Sequence, residues 1–177
     1  VTALSGSNEN IYVCNGEAIL FQAYGDTSGT LNYNFKKNGV SLGGSQPTVA
    51  TLNTVNFVDE DEFSVTVTNF STAGAPAVGT TSHIKVNVLP VPNAALSSSV
   101  GPVICSSDGV TTFTASGGGQ YEFFLNGISL TTVSTIDNHS LNNSTLSSGD
   151  VISVSVFAAD SNGNVLSQCS DSESLKI

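Results

Sequence analysis

Phe35-Lys-Lys-Asn-Gly-Val-Ser-Leu42 and Phe123-Phe-Leu-Asn-Gly-Ile-Ser-Leu130 are two versions of one string, offset by 88 residues. In each, Asn-Gly sits between apolar runs, the strongest short signal for a β-hairpin. Further echoes lie in the same order along the chain. Phe63-Ser-Val-Thr-Val67 matches Ile152-Ser-Val-Ser-Val156 at an offset of 89. Ile84-Lys-Val86 matches Leu175-Lys-Ile177, and Cys14 matches Cys105, both at 91. Ordered anchors with slowly drifting offsets mark a tandem duplication with small loop changes. The joint is Leu89-Pro90-Val91-Pro92-Asn93, where two prolines favour an extended, stiff connector.

Each half reads as strands. In Phe63–Val67 and Ile152–Val156 apolar residues alternate with Ser or Thr, the period-2 mark of a half-buried strand. Glu17–Tyr24, Leu31–Phe35, Val110–Ala115 and Tyr121–Leu125 are rich in aromatic and β-branched residues. Ser161-Asn-Gly-Asn164 reads as another turn, and Ser116-Gly-Gly-Gly119 as a turn between strands. No window carries a capped 3.6-residue period. Short strands with regular turn signals predict an all-β chain of two tandem immunoglobulin-like β-sandwich domains, residues 1-90 and 91-177.

The chain has 177 residues, with no Met, Trp or Arg. A domain takes roughly 100–200 residues, so this length suits one large domain or two small ones. The absence of Met and of an apolar leader gives the expectation of a processed piece of something longer. Fourteen Asp plus Glu against four Lys give a net charge of -10, which excludes a nucleic-acid binder, because phosphate recognition needs clustered cations. The same deficit argues against anionic membrane surfaces, and no 18-residue apolar run spans a bilayer. Hydrophobic residues make up 39%, enough for a core, whereas only 10% are charged, so Ser, Thr, Asn and Gly must solubilise the surface.

Cys14, Cys105 and Cys169 have no zinc-ligand spacing. Cys105 and Cys169 lie in the same half, so a disulfide between them is expected in a secreted protein. That bridge would join the entry to one early strand with the last strand, unlike the bridge of antibody domains. Cys14 is then the odd thiol, either buried or bonded to a segment outside this sequence.

The second half resembles a known family. Cys105-Ser-Ser-Asp108, Thr112-Phe-Thr-Ala-Ser-Gly-Gly118, Tyr121-Glu-Phe-Phe-Leu-Asn-Gly127 and Gly149-Asp-Val-Ile-Ser-Val154 are similar to the Ig-like or PKD-like repeats of giant Bacteroidetes cell-surface adhesins. These include the SprB-like gliding-motility adhesins and other type IX secretion substrates. The resemblance covers most of 100–177 and thins out in 1–90. It implies secretion, display at the cell surface and β-sandwiches in an array, with neighbouring Ig-like repeats of the same parent chain as partners. It carries over no catalytic residues.

Other chemistry is sparse. Asp59-Glu60-Asp61-Glu62 is the densest acidic run and a candidate calcium site, since oxygen ligands along a loop suit Ca²⁺. The plainer reading is a solvated loop. Asp160-Ser-Asn-Gly-Asn164 lacks the Gly and Glu positions of an EF-hand and reads as a turn. His83 and His139 have no Gly-x-Ser-x-Gly elbow to serve, and no enzyme is expected. Asn69, Asn138, Asn142 and Asn143 open Asn-x-Ser/Thr sequences, read as chance in so polar a chain. Tyr33 and Tyr121 are expected in the core, leaving Tyr12 and Tyr24 as the other tyrosines able to stack on sugars.

The expected function is therefore a repeat segment of a secreted bacterial surface adhesin: a monomeric, semi-rigid stalk or spacer with a part in adhesion or gliding motility, and no cofactor apart from the calcium candidate. The alternative is a carbohydrate-binding module of a polysaccharide-degrading protein, with surface polysaccharide as its partner. Two or more Tyr or Phe rings exposed on one face would favour it.

Overall fold

The computed structural model describes residues 2–4, 9–24, 30–43, 49–70, 77–79, 82–101 and 103–177. The chain divides into two compact units, Val1–Val88 and Leu89–Ile177. Among the described residues there is no α-helix.

In the first unit a three-stranded sheet has the order β1-β3-β6, from β1 (Thr2–Leu4), β3 (Ile19–Tyr24) and β6 (Val49–Thr54). The larger sheet has the order β2-β9-β7-β4-β5, from β2 (Glu9–Cys14), β4 (Thr30–Lys37), β5 (Val40–Gly43), β7 (Glu62–Phe70) and β9 (Ser82–Leu89). The short β8 (Ala77–Val78) pairs with β7. Alternation sends Leu31, Tyr33 and Phe35 of β4 inward, beside Phe63 and Val65 of β7. They meet Ile19, Phe21 and Ala23 of the smaller sheet in one core. Phe21 and Phe63 stack across the sheets with centroids 4.6 Å apart. Burying side chains of this size contributes about 1.5–3 kcal/mol each and holds the sheets together.

In the second unit β10 (Ala95–Ser98), β11 (Val110–Ser116) and β14 (Asn138–Asn142) form one sheet in the order β10-β11-β14. The other, in the order β13-β12-β15-β16, is built from β12 (Gln120–Leu125), β13 (Ile128–Ser129), β15 (Val151–Ala159) and β16 (Val165–Lys176). Ile152, Val154, Val156 and Ala158 of β15 point inward in strict alternation. Phe113 and Ala115 from the first sheet pack with Tyr121, Phe123, Ile152, Val154 and Val156 from the second.

The local expectations hold. Asn38-Gly39 and Asn126-Gly127 each take φ of 50° and 78°, left-handed at both residues of a two-residue hairpin turn. Ser161–Asn164 lies in the turn of the β15–β16 hairpin. Gly117 passes so close to the chain that a Cβ there would lie 1.8 Å from the Asn93 carbonyl oxygen.

The expected Cys105–Cys169 bridge is absent. The disulfide-bonded cysteines are Cys14 and Cys169, and Cys105 is an exposed thiol. The reason is strand direction. Asn143 donates to the Cys105 carbonyl at 3.2 Å, and its own neighbour Asn142 pairs with Val110, so Cys105 sits at the Val110 end of β11. Cys169 lies in a bulge of β16 opposite Phe157 and Ala158. Gly119 donates to the Phe157 carbonyl, which places that bulge near the Ser116 end of β11. The two cysteines are thus about one strand length apart, roughly 20 Å, whereas a disulfide needs Cα atoms within about 7 Å. Cys14, expected to be the odd thiol, is buried and bonded.

Candidate functional site

The acidic run that nominated a calcium site is dismantled by its own neighbours. Asp59 accepts the Val88 amide at 2.8 Å. Glu60 pairs with Lys85. Asp61 turns inward, is 4% exposed and pairs with Lys37 at 2.7 Å. Glu62 meets His83 Nδ1 at 2.8 Å. Four consecutive carboxylates go to four different partners, so they do not converge on a point where one cation could sit. Among the described residues no group of three or more His, Cys, Asp or Glu is placed to hold a metal ion.

What the run builds instead is a clasp. The Asn38 amide N–H donates to the Glu62 carbonyl at 2.8 Å, and Asn38 Oδ1 accepts the Glu62 N–H at 2.8 Å. Asn38 Nδ2 donates to Asp61 Oδ1 at 2.6 Å. Asp61 Oδ2 accepts the Val58 N–H at 2.7 Å, and the Asp61 carbonyl accepts the Val86 N–H at 2.8 Å. One Asn and one Asp thereby tie the β4–β5 turn, the loop before β7 and strand β9.

The same clasp recurs in the second unit. Asn126 exchanges backbone and side-chain hydrogen bonds with Val151, at 2.8 and 2.9 Å. Its Nδ2 donates to Asp150 Oδ1 at 2.8 Å, and Asp150 Oδ2 accepts the Ser147 N–H at 2.8 Å. The Asp150 carbonyl accepts the Ile177 N–H at 2.9 Å. Asn38 maps onto Asn126 at the offset of 88, Asp61 onto Asp150 at 89 and Val86 onto Ile177 at 91, the offsets of the sequence repeat.

The copies differ in electrostatics. At Asp61 burial alone raises the carboxyl pKa, but hydrogen bonds from Lys37, the Val58 amide and Asn38 outweigh it and hold the group below the usual carboxylate value. At Asp150 the Asn126 and Ser147 hydrogen bonds lower the pKa against a smaller burial effect. The residue at the position of Lys37 is Leu125, which brings no charge. Glu60 holds φ of 71° where the second unit has Gly149 at 98°.

Sequence reading found the Asn-Gly turns but not their carboxylate partners. The signal was present: an Asp immediately before each matched strand, at the offset of 89. Asp160 is also spent locally, accepting the Asn162 and Asn164 amides at 2.8 Å, as expected of a turn. His139 stacks on Phe123, with centroids 6.0 Å apart. Tyr33 and Tyr121 are buried and Tyr12 is half-buried, while the Tyr24 side chain lies outside the described residues.

One other surface has chemical character. On the outward face of the β13-β12-β15-β16 sheet, Ser153 faces Ser174 and Ser155 faces Ser172. Phe124 lies beside Ser153, and together they line an open groove of about 380 Å³. Phe157 shares this face by alternation, four positions along the sheet opposite Gln120. Both rings are half-buried and neither belongs to the core.

No family model matches this chain, and neither does any curated protein sequence. Among solved structures it is similar to the CD2-binding domain of CD58 (lymphocyte function-associated antigen 3), at 12% identity and a TM-score of 0.50, covering 96% of this chain and 97% of that one. It is also similar to the fibronectin(III)-like modules of Clostridium thermocellum CbhA, at 12% identity and a TM-score of 0.48, covering 98% and 90%. The likeness to CD58 is one of fold alone. The chain is all-β with an immunoglobulin-like fold. Among the described residues no helix is long and apolar enough to cross a membrane.

Proposed function

We propose that this chain is a segment of two tandem Ig-like domains, 1-90 and 91-177, from a large secreted bacterial surface adhesin, acting as a semi-rigid stalk that carries or contributes to adhesion. The observation that carries this reading is the duplicated clasp, the same hydrogen-bonded device at the same place in two successive modules. A repeat of this kind is what an extended array needs, because each unit closes its own core. The Pro-rich joint restricts bending, and the net charge of -10 limits non-specific self-association. Its partners are neighbouring repeats of the parent chain, its location is the cell surface, and it catalyses no reaction. Weak contacts repeated along such an array would supply avidity.

The groove beside Phe124 favours one second reading, carbohydrate binding. Phe124 and Phe157 stand roughly 13 Å apart along the strands, by a rise of about 3.3 Å per residue, with Glu122 and serine hydroxyls between them. Beads coated with the chain, offered a panel of polysaccharides, separate the two readings. The stalk reading expects no binding that depends on Phe124, together with resistance of both units to pulling in single-molecule extension. Saturable binding that is lost in Phe124→Ala would replace it with the carbohydrate reading.

A further inference from the structure

We propose that Asn38 and Asn126, at the two clasped Asn-Gly turns among the four Asn-Gly steps of the chain, are deamidation sites of unequal lifetime, with the carboxylate clasp setting each lifetime: of this pair Asn126 is the labile copy and Asn38 the guarded one. The chemistry needs only water. The Gly127 backbone nitrogen gives up its proton and attacks Asn126 Cγ. The N–Cγ bond forms, the Cγ–Nδ2 bond breaks and ammonia leaves. The resulting succinimide adds water and opens to aspartate or isoaspartate, so that an amide and water have become a carboxylic acid and ammonia. Glycine makes the attack easy, since it has no Cβ to shield its nitrogen.

Both turns have this sequence, and in both the side-chain amide is held at either end. Before Cγ can meet the glycine nitrogen, Nδ2 must leave its aspartate and Oδ1 must leave the strand N–H. One of those bonds is charge-assisted and stronger than a neutral one. At Asn38 the carboxylate is buried and is itself held by Lys37 at 2.7 Å, so releasing the amide leaves a desolvated anion short of a donor. At Asn126 the carboxylate is half-buried, with Leu125 in place of the lysine, and water replaces the lost donor more readily. The conversion is also self-sealing. Neither product restores the Nδ2 donor: aspartate puts a carboxylate there, facing Asp150 as a like charge, and isoaspartate reroutes the backbone through Cγ, so the clasp does not close again. The β12–β13 turn then loses its side-chain tie to the loop before β15.

Peptide mass mapping of the intact chain, aged at mildly alkaline pH with and without urea, tests this. In urea both sites should convert at similar rates. In the folded chain both should slow, with Asn126 ahead of Asn38 by about three- to tenfold, the factor of roughly one net hydrogen bond. Asp150→Ala should speed Asn126 and leave Asn38 unchanged. Lys37→Leu should bring Asn38 towards the Asn126 rate. Hydrogen exchange of β7 and β15 shows whether each variant keeps its core, and should one unfold, the wild-type comparison with and without urea decides alone. Equal native rates, Asn38 ahead of Asn126, or a folded Asp150→Ala with an unchanged Asn126 rate would each overturn the proposal.

Discussion

Asn126 donates to Asp150 across 2.8 Å, and this contact ties the β12–β13 turn to the loop that leads into β15. Its counterpart between Asn38 and Asp61 is shorter, at 2.6 Å, and its carboxylate is buried. The pair of clasps repeats one hydrogen-bonded framework in two units whose surroundings differ.

Removing the amide should cost more in the first unit. Asn38→Ala leaves buried Asp61 without one donor and the Glu62 N–H without its side-chain acceptor. The expected loss is about 1–3 kcal/mol, read as a lower urea midpoint. Asn126→Ala should lower stability by less, because water reaches Asp150 and Val151.

Acid should loosen both clasps. Asp61 and Asp150 have folded pKa values below the ordinary carboxylate value, so each favours folding above about pH 4, and that contribution disappears as the pH falls through the lower folded value. Thermal melts between about pH 6 and pH 2 should show the loss. The double variant Asp61→Asn, Asp150→Asn should show a flatter acid limb, and an identical limb would refute the assignment.

Glu60 holds a left-handed backbone that the second unit gives to Gly149. Glu60→Gly should therefore relieve roughly 1 kcal/mol of strain. The exposed pair with Lys85 that it gives up is worth less than this. A higher melting temperature is the expected result.

Two glycines with positive φ should respond differently to substitution. Gly117→Ala drives a Cβ to 1.8 Å from the Asn93 oxygen, and neither side is a flexible side chain, so a loss above about 3 kcal/mol is expected. A Cβ at Gly39 meets nothing within 4 Å, so Gly39→Ala should cost only the left-handed backbone, about 1–2 kcal/mol. Denaturant unfolding of the two variants makes the comparison.

Alkylation without reductant should label Cys105 alone, and Cys14 and Cys169 should label only after reduction and unfolding. Peptide mapping reads all three sites. Label at Cys169 in the unreduced protein would contradict the bonding described.

Much of the architecture is local and so was readable in advance. Val151–Ala159 alternates because every second side chain must leave water, and Asn-Gly adopts left-handed φ because those two residues pay least for it. Val110–Ser116 and Gln120–Leu125 follow from β-branched and aromatic content. Asn138–Asn142 did not announce itself, because Asn-His-Ser-Leu-Asn has no β-branched residue and becomes a strand only by pairing with β11. Ala95–Ser98 is similar, an edge strand with little to bury.

The chain alone established the duplication, its offsets, the all-β character and the two hairpin turns, because these rest on residue periodicity and on conformations confined to neighbouring residues. Tertiary structure decided where each carboxylate of Asp59–Glu62 went, which cysteines bonded, and that the Asn38-Gly39 and Asn126-Gly127 turns are each held by an aspartate more than twenty residues away. Those outcomes depend on which strand ends meet in space. Cys105 and Cys169 share a unit yet lie at opposite ends of it, while Asn126 and Asp150 come within 2.8 Å because antiparallel pairing of β12 with β15 brings the end of one strand to the start of the other.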